Sequence, residues 1–224
     1  MKSFGDQVLS YHFTLKPSVI LPQDIEWLMP YDAAETRRCM EVFYHRYYKD
    51  KAKRTFILGI NPGRFGAGLT GVPFTDPIRL KELGIENTFP MKPELSSVFI
   101  YEMIDACGGP DSFYRQFYIT SLSPLGFTKH GKNYNYYDDA HLSKLVTPFI
   151  IENIETQLKF GADRSRVFCL GQGKNYEFLV RINEAHGWWE RVIPLPHPRW
   201  IMQYKLKQKK DFIEQYKEML EVKN

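Results

Sequence analysis

The stretch "RTFILGINPGRFGAGLTGVPF" (54–74) decides the fold class. Phe56 to Ile60 form a short, unbroken apolar run, as expected of a strand buried on both faces rather than one. The run stops at Asn61, and Pro62, Gly63, Gly66, Gly68 and Gly71 follow within a few positions. Glycine is used where φ is positive or where something approaches the main chain closely. The second half therefore predicts a long strand-to-helix loop, with ordinary turn glycines as the plainer alternative. It is neither a Walker loop nor a dinucleotide fingerprint, because it lacks both GK[ST] and GxGxxG.

Three further apolar runs lie downstream: "QFYITSL" (116–122), "SRVFCLG" (165–171) and "WERVIPLP" (189–196). Helical patterns separate them. The periodicity predicts helices over Ala33–Tyr48, over "ELSSVFIYEMIDACGG" (94–109) and over "DDAHLSKLVTPFIIENIETQLKFG" (138–161). Pro148 within the last of these predicts a kink or a break into two helices. A further helix runs to about Ala185, and a final one, from about Tyr204 to Glu221, places Phe212, Ile213, Tyr216, Met219 and Leu220 on one stripe. Strands alternating with helices predict an α/β fold, a three-layer α/β/α sandwich around a four-stranded parallel sheet. With no internal repeat or linker, the 224 residues read as one domain, an N-terminal helical part over 1–53 and an α/β core over 54–224.

Composition narrows the function classes. At 43% hydrophobic residues the chain can build a core without staples. No apolar run reaches the ~20 residues of a membrane helix, and "MKSFGDQVLSYHF" (1–13) lacks the apolar segment of a signal peptide. Cys39, Cys107 and Cys169 are far apart and without a CxxC pair, so they read as buried thiols of a cytoplasmic protein. His12, His45, His130, His141 and His186 show no metal-binding spacing, so no metal or cofactor is expected. The net charge of +4 is a mild bias, but "RWIMQYKLKQKK" (199–210) sets five cations among two aromatics. Such a segment suits either a solvated helix face or a nucleic-acid surface, where cations hold phosphates and rings stack.

In open α/β sheets ligands bind beyond the carboxyl ends of the strands. Asn61, Ser121, Gly171 and His197 each stand at such an exit. Asn61 offers one donor group and one acceptor but cannot take a proton. His197, in "IPLPHPRW" (193–200), is flanked by prolines that restrict where its ring points, and it can donate a hydrogen bond to developing negative charge. Arg199 and Trp200 beside it supply a cation and a wedge suited to a phosphate or a base gap. Asp76, before Pro77, reads as a helix cap.

These residues resemble a known family. "GINPGRFGAGLTGVPF" (59–74) is similar to the first motif of the uracil-DNA glycosylase superfamily, and most of all to its single-strand-selective monofunctional branch, G-M-N-P-G-P-F-G followed by T-G-V-P-F. "TSLSPLGF" (120–127) resembles that branch's H-N-L-C-P-L-x-F, and "LPHPRW" (195–200) its H-P-S-P-R-N segment. The resemblance implies an enzyme that flips a damaged base out of DNA and hydrolyses its N-glycosidic bond, without a lysine for a lyase step. It implies that Ile60 and Gly63 line the base pocket, that Phe74 stacks on the base, that Asn61 positions water and that His197 binds the departing base's carbonyl oxygen. Arg64, Arg199, Trp200 and Lys205 would then meet DNA, and the protein would act as a monomer.

Three departures accompany the likeness. Arg64 replaces a proline. Ser121 stands where the family has the asparagine that reads uracil, so discrimination against hypoxanthine and xanthine should weaken. Leu195 occupies the ungapped position of the motif histidine, and a shortened loop is invoked to bring His197 to the base. The alternatives are a non-catalytic nucleic-acid-binding module, favoured by the shifted histidine, and a nucleotide hydrolase, for which the acidic metal ligands are missing from the motifs.

Overall fold

The computed structural model describes residues 2–222. In chain order it contains α1 (Phe4–Thr14), β1 (Ile25–Leu28), α2 (Ala34–Tyr47), β2 (Arg54–Gly59), α3 (Ala67–Thr70), α4 (Pro77–Glu82), α5 (Leu95–Ala106), α6 (Gly109–Gln116) and β3 (Phe117–Ser121). Then follow β4 (Gly126–Lys129), β5 (Lys132–Tyr134), α7 (Ala140–Leu158), β6 (Ala162–Leu170), α8 (Lys174–His186), β7 (Val192–Leu195), α9 (Pro198–Tyr204), a 3-10 turn (Leu206–Gln208) and α10 (Lys209–Leu220).

The four apolar runs form the expected sheet, all parallel, in the order β3-β2-β6-β7. Every residue of β2, an inner strand, and of β3 at the sheet edge is buried, as expected where helices cover both faces of a sheet. Tyr118 and Thr120 of β3 share the Gln157 carboxamide of α7, at 3.3 and 2.9 Å, and fasten that helix to the sheet. Another helical group, α5, α9 and α10, closes around the edge-on contact of Phe99 and Tyr216, whose ring centroids are 5.1 Å apart. At the foot of β2 the fully buried Arg54 donates to Asp50, Ala52 and Tyr114, and its guanidinium lies over the Phe4 and Tyr48 rings. Among the described residues no helix is long and apolar enough to cross a membrane.

The structure departs from the sequence reading at several elements. A second, antiparallel sheet, β1-β4-β5, was not expected; its β1 lies in the N-terminal part, which is therefore not purely helical. The predicted break at Pro148 is absent, and α7 runs through it. Leu142, Val146, Phe149, Ile150 and Ile154 are all buried on that helix, and their packing outweighs the one backbone hydrogen bond a proline removes. The segment over 94–109 ends as α5 at Ala106, and α6 begins at Gly109 after only two intervening residues, with Gly108 and Gly109 both at positive φ. The final helix, expected from about Tyr204, starts only at Lys209 as α10, and a separate, unexpected helix, α9, starts at Pro198, directly behind His197. Ile213, Tyr216 and Leu220 of the expected stripe are buried, and Phe212 and Met219 pack partly buried against the core.

His12 on α1 is buried between the rings of Tyr11 and Tyr31, at 4.8 and 4.5 Å, with neither nitrogen hydrogen-bonded. Burial pushes its pKa down to about 3. The unfolded chain takes up a proton near pH 6.5 that the folded chain refuses, so folding stability falls as pH drops below about 6.5 and levels off only near 3. Urea titrations at pH 7, 6 and 5 should show the wild type losing up to about 1.4 kcal/mol per pH unit more than His12→Phe. Parallel losses in the two proteins would contradict this.

Candidate active site

Backbone hydrogen bonds stitch the strand exits into one rim. Leu122 and Ser123 donate to the carbonyls of Gly59 and Ile60, at 3.0 and 3.1 Å, and Gly171 donates to Leu195 at 2.8 Å. Above the rim opens a cleft of about 960 Å³. Ile60, Asn61, Gly63, Arg64, Phe74, Ser121, His197, Arg199 and Trp200 all line it. Lys205 does not; it stands behind Trp200, its ammonium 5.8 Å from the centre of that ring.

Phe74 has φ of 54°, a conformation an aromatic residue adopts only under constraint. The constraint is visible. Thr70 Oγ1 donates to the Thr75 carbonyl at 2.6 Å, Thr75 Oγ1 meets the Tyr101 hydroxyl at 2.9 Å, and Asp76 caps α4 by accepting from Arg79 N–H at 2.8 Å. The ring so held lies across the end of β2. A Cβ on Gly59 would come within 2.7 Å of its Cε2 and 3.4 Å of Ser121 Oγ, so only glycine leaves room there for the ring. Gly71 serves differently: it takes φ of 69° against Met40 at the end of α3. The glycines on either side of Asn61 thus accommodate the protein's own side chains, at Gly59 and Gly71, as well as lining the open cleft, at Gly63 and Gly66.

His197 is the N-cap of α9, with Pro198 in the first turn. Its Nδ1 accepts the Arg199 backbone N–H at 3.1 Å, which leaves the proton of the neutral ring on Nε2. Burial first, and the Arg199 charge second, push its pKa down to about 4. The imidazole is therefore a neutral donor at physiological pH. Its centroid lies 6.4 Å from that of Phe74, and the Tyr216 hydroxyl donates to the Pro196 carbonyl and anchors the loop before it. Leu195, at the ungapped motif position, is fully buried at the end of β7 and does not line the cleft.

Asn61 is gripped from a direction the sequence reading missed. Its Nδ2 donates to the Tyr134 carbonyl at 3.2 Å, and its Oδ1 accepts the Tyr136 N–H at 3.3 Å. The β4–β5 hairpin, turning through His130 and Gly131 at positive φ, supplies this grip. Its Asn133 side chain also accepts the Arg64 N–H at 3.0 Å and lines the cleft with Asn135 and Tyr137. The "KHGK" turn (129–132) between short β-prone runs was the available signal. The Ser121 hydroxyl, in a residue only 7% exposed, has no hydrogen-bond partner among the described residues. Trp200, 41% exposed, and Phe65, with the Arg64 guanidinium 4.9 Å from its ring centre, stand at the lip.

The family model for the uracil DNA glycosylase superfamily matches residues 45–221. The chain belongs to the uracil DNA glycosylase superfamily. The crystal structure of wild-type SMUG2 from Pedobacter heparinus is similar over nearly the whole chain, with 47% identity and a TM-score of 0.96, covering 99% of this chain and 98% of that one. This superfamily member is accordingly a monofunctional DNA glycosylase, an enzyme of DNA repair that hydrolyses N-glycosidic bonds.

Proposed function

We propose that this glycosylase removes uracil, and also the deaminated purines hypoxanthine and xanthine, from DNA by flipping the nucleotide into the cleft. The observation that carries the reading is the meeting, at one rim, of a fixed carboxamide, a neutral imidazole donor and a strained aromatic ring. In this mechanism the base slides over the Ile60 main chain and Gly63 and stacks on Phe74. His197 Nε2–H donates to the base's carbonyl oxygen as the glycosidic electron pair moves onto the ring. One lone pair of Asn61 Oδ1 is taken by Tyr136 N–H, and the other holds the water that adds to the sugar cation and gives up its surplus proton to the departed base anion or to solvent. No residue needs to abstract a proton early, because catalysis here is the stabilisation of separating charge.

Ser121 supports the broad base range. A single unpartnered hydroxyl rotates to donate or accept, whereas a carboxamide imposes one pattern. Arg64, Arg199 and Lys205 are assigned to the phosphates, Trp200 to the gap left in the stack, and a monomer suffices for all of these. The three buried free cysteines support action in a reducing compartment such as the cytoplasm.

The test is an excision panel over uracil, hypoxanthine, xanthine and thymine opposite each partner base, read by alkaline cleavage of abasic sites. Uracil and the two deaminated purines should be released and thymine spared. Ser121→Asn should cut purine excision relative to uracil by roughly 10- to 100-fold. A uracil-only profile in the wild type would overturn the broad range, and tight binding without any cleavage would favour a binding module.

A further inference from the structure

Two residues outside the sequence motifs reach Asn61 through a continuous set of hydrogen bonds. Tyr136 donates its main-chain N–H to Asn61 Oδ1 at 3.3 Å, and its hydroxyl donates to Asn175 Oδ1 at 2.8 Å. Asn175, the second residue of α8, donates through Nδ2 to the Leu170 carbonyl at 3.4 Å and to Cys169 Sγ at 3.3 Å, at the end of β6. Tyr136 is fully buried, with Phe178 and Tyr137 against its ring at 4.9 and 5.1 Å, and Asn175 is only 3% exposed. A buried hydroxyl that loses its partner is costly, so the Tyr136–Asn175 bond fixes where the 134–136 backbone lies. That backbone in turn presents a donor to Asn61 Oδ1 and an acceptor to Nδ2, which sets which way the amide faces.

We infer that Tyr136 and Asn175 are positioning residues for the glycosylase reaction: their side-chain hydrogen bond holds the 134–136 backbone that orients the Asn61 amide toward the water. The inference rests on the catalytic reading of Asn61 given above. A carboxamide free to turn by 180° would offer the water a donor instead of an acceptor for part of the time. Misplacement at this scale costs rate without costing base affinity.

The experiment compares wild type, Tyr136→Phe, Asn175→Ser, Asn61→Ala and the two doubles with Asn61→Ala. Each is measured for single-turnover excision of uracil and for affinity toward an oligonucleotide carrying 2′-fluoro-2′-deoxyuridine, which resists hydrolysis. Tyr136→Phe and Asn175→Ser should each lower the excision rate about tenfold and leave affinity within about twofold. In the Asn61→Ala background the same substitutions should change the rate less than about twofold, because the group they orient is gone. A merely structural role predicts instead that their effects multiply with that of Asn61→Ala, or that affinity falls with rate, and either result overturns the inference. So does an unchanged rate in both single variants. A wild-type rate in Asn61→Ala alone would overturn the reading of Asn61 itself, a failure distinct from strong Asn61 dependence with a multiplying Tyr136 effect. Asn175→Ser breaks the same bond from α8, so a fold lost in one variant leaves the other to decide.

Discussion

His197→Ala should lower the single-turnover rate of uracil excision by roughly 10²- to 10³-fold while DNA affinity changes little, the loss expected when one preorganised donor to a developing anion is removed. The direction of the pH dependence is equally specific. His197 takes up a proton only as pH falls through about 4, so from pH 5 upward it is already in its donating neutral form. The chemical step should therefore be flat from about pH 5.5 to 8. An imidazolium acting as a general acid would instead lose rate as pH rose through about 6.5. Single-turnover rates across that range decide between a neutral donor and a charged one, provided the acid destabilisation traced to His12 is followed alongside.

Asn61→Ala is expected to have an effect of the same order, roughly 10²-fold or more, through loss of the oriented water. Asparagine suits this position for a reason the structure supplies. Nδ2 faces the Tyr134 carbonyl and, at 3.4 Å, that of Pro62, whereas Oδ1 faces the Tyr136 N–H. A carboxylate here would turn an acceptor toward two carbonyl oxygens. Because the amide does not titrate, residue 61 adds no acidic limb to the rate profile near pH 4–5. The measurement is the excision rate against the affinity for the uncleavable analogue. Equal losses in both would mean that Asn61 binds the base rather than the water.

How much of this was legible in the chain differs from element to element. The four strands of the parallel sheet were, because each carries an apolar run bounded by helical patterns, complete burial being reached in β2, β3 and the second half of β6. The rim residues followed from topology, since the exits of parallel strands share one edge. The small sheet was not legible: β1, β4 and β5 have four, four and three residues, too few for a clear alternation. The start of α9 was hidden by the prolines around His197, which read as a rigid loop although Pro198 sits where a helix tolerates one. Pro148 misled in the opposite sense, because the apolar face of α7 holds the helix together across it. The grip on Asn61 was invisible for a different reason. It joins groups 75 positions apart through main-chain atoms of Tyr136, and no side-chain motif reports on those.

The most direct test of the central claim is a crystal structure of the Asn61→Ala protein bound to a uracil-containing oligonucleotide. The uracil should be extrahelical and stacked on Phe74, with His197 Nε2 within hydrogen-bonding distance of a base carbonyl oxygen. A base left in its stack, or lodged away from Phe74 and His197, would contradict it.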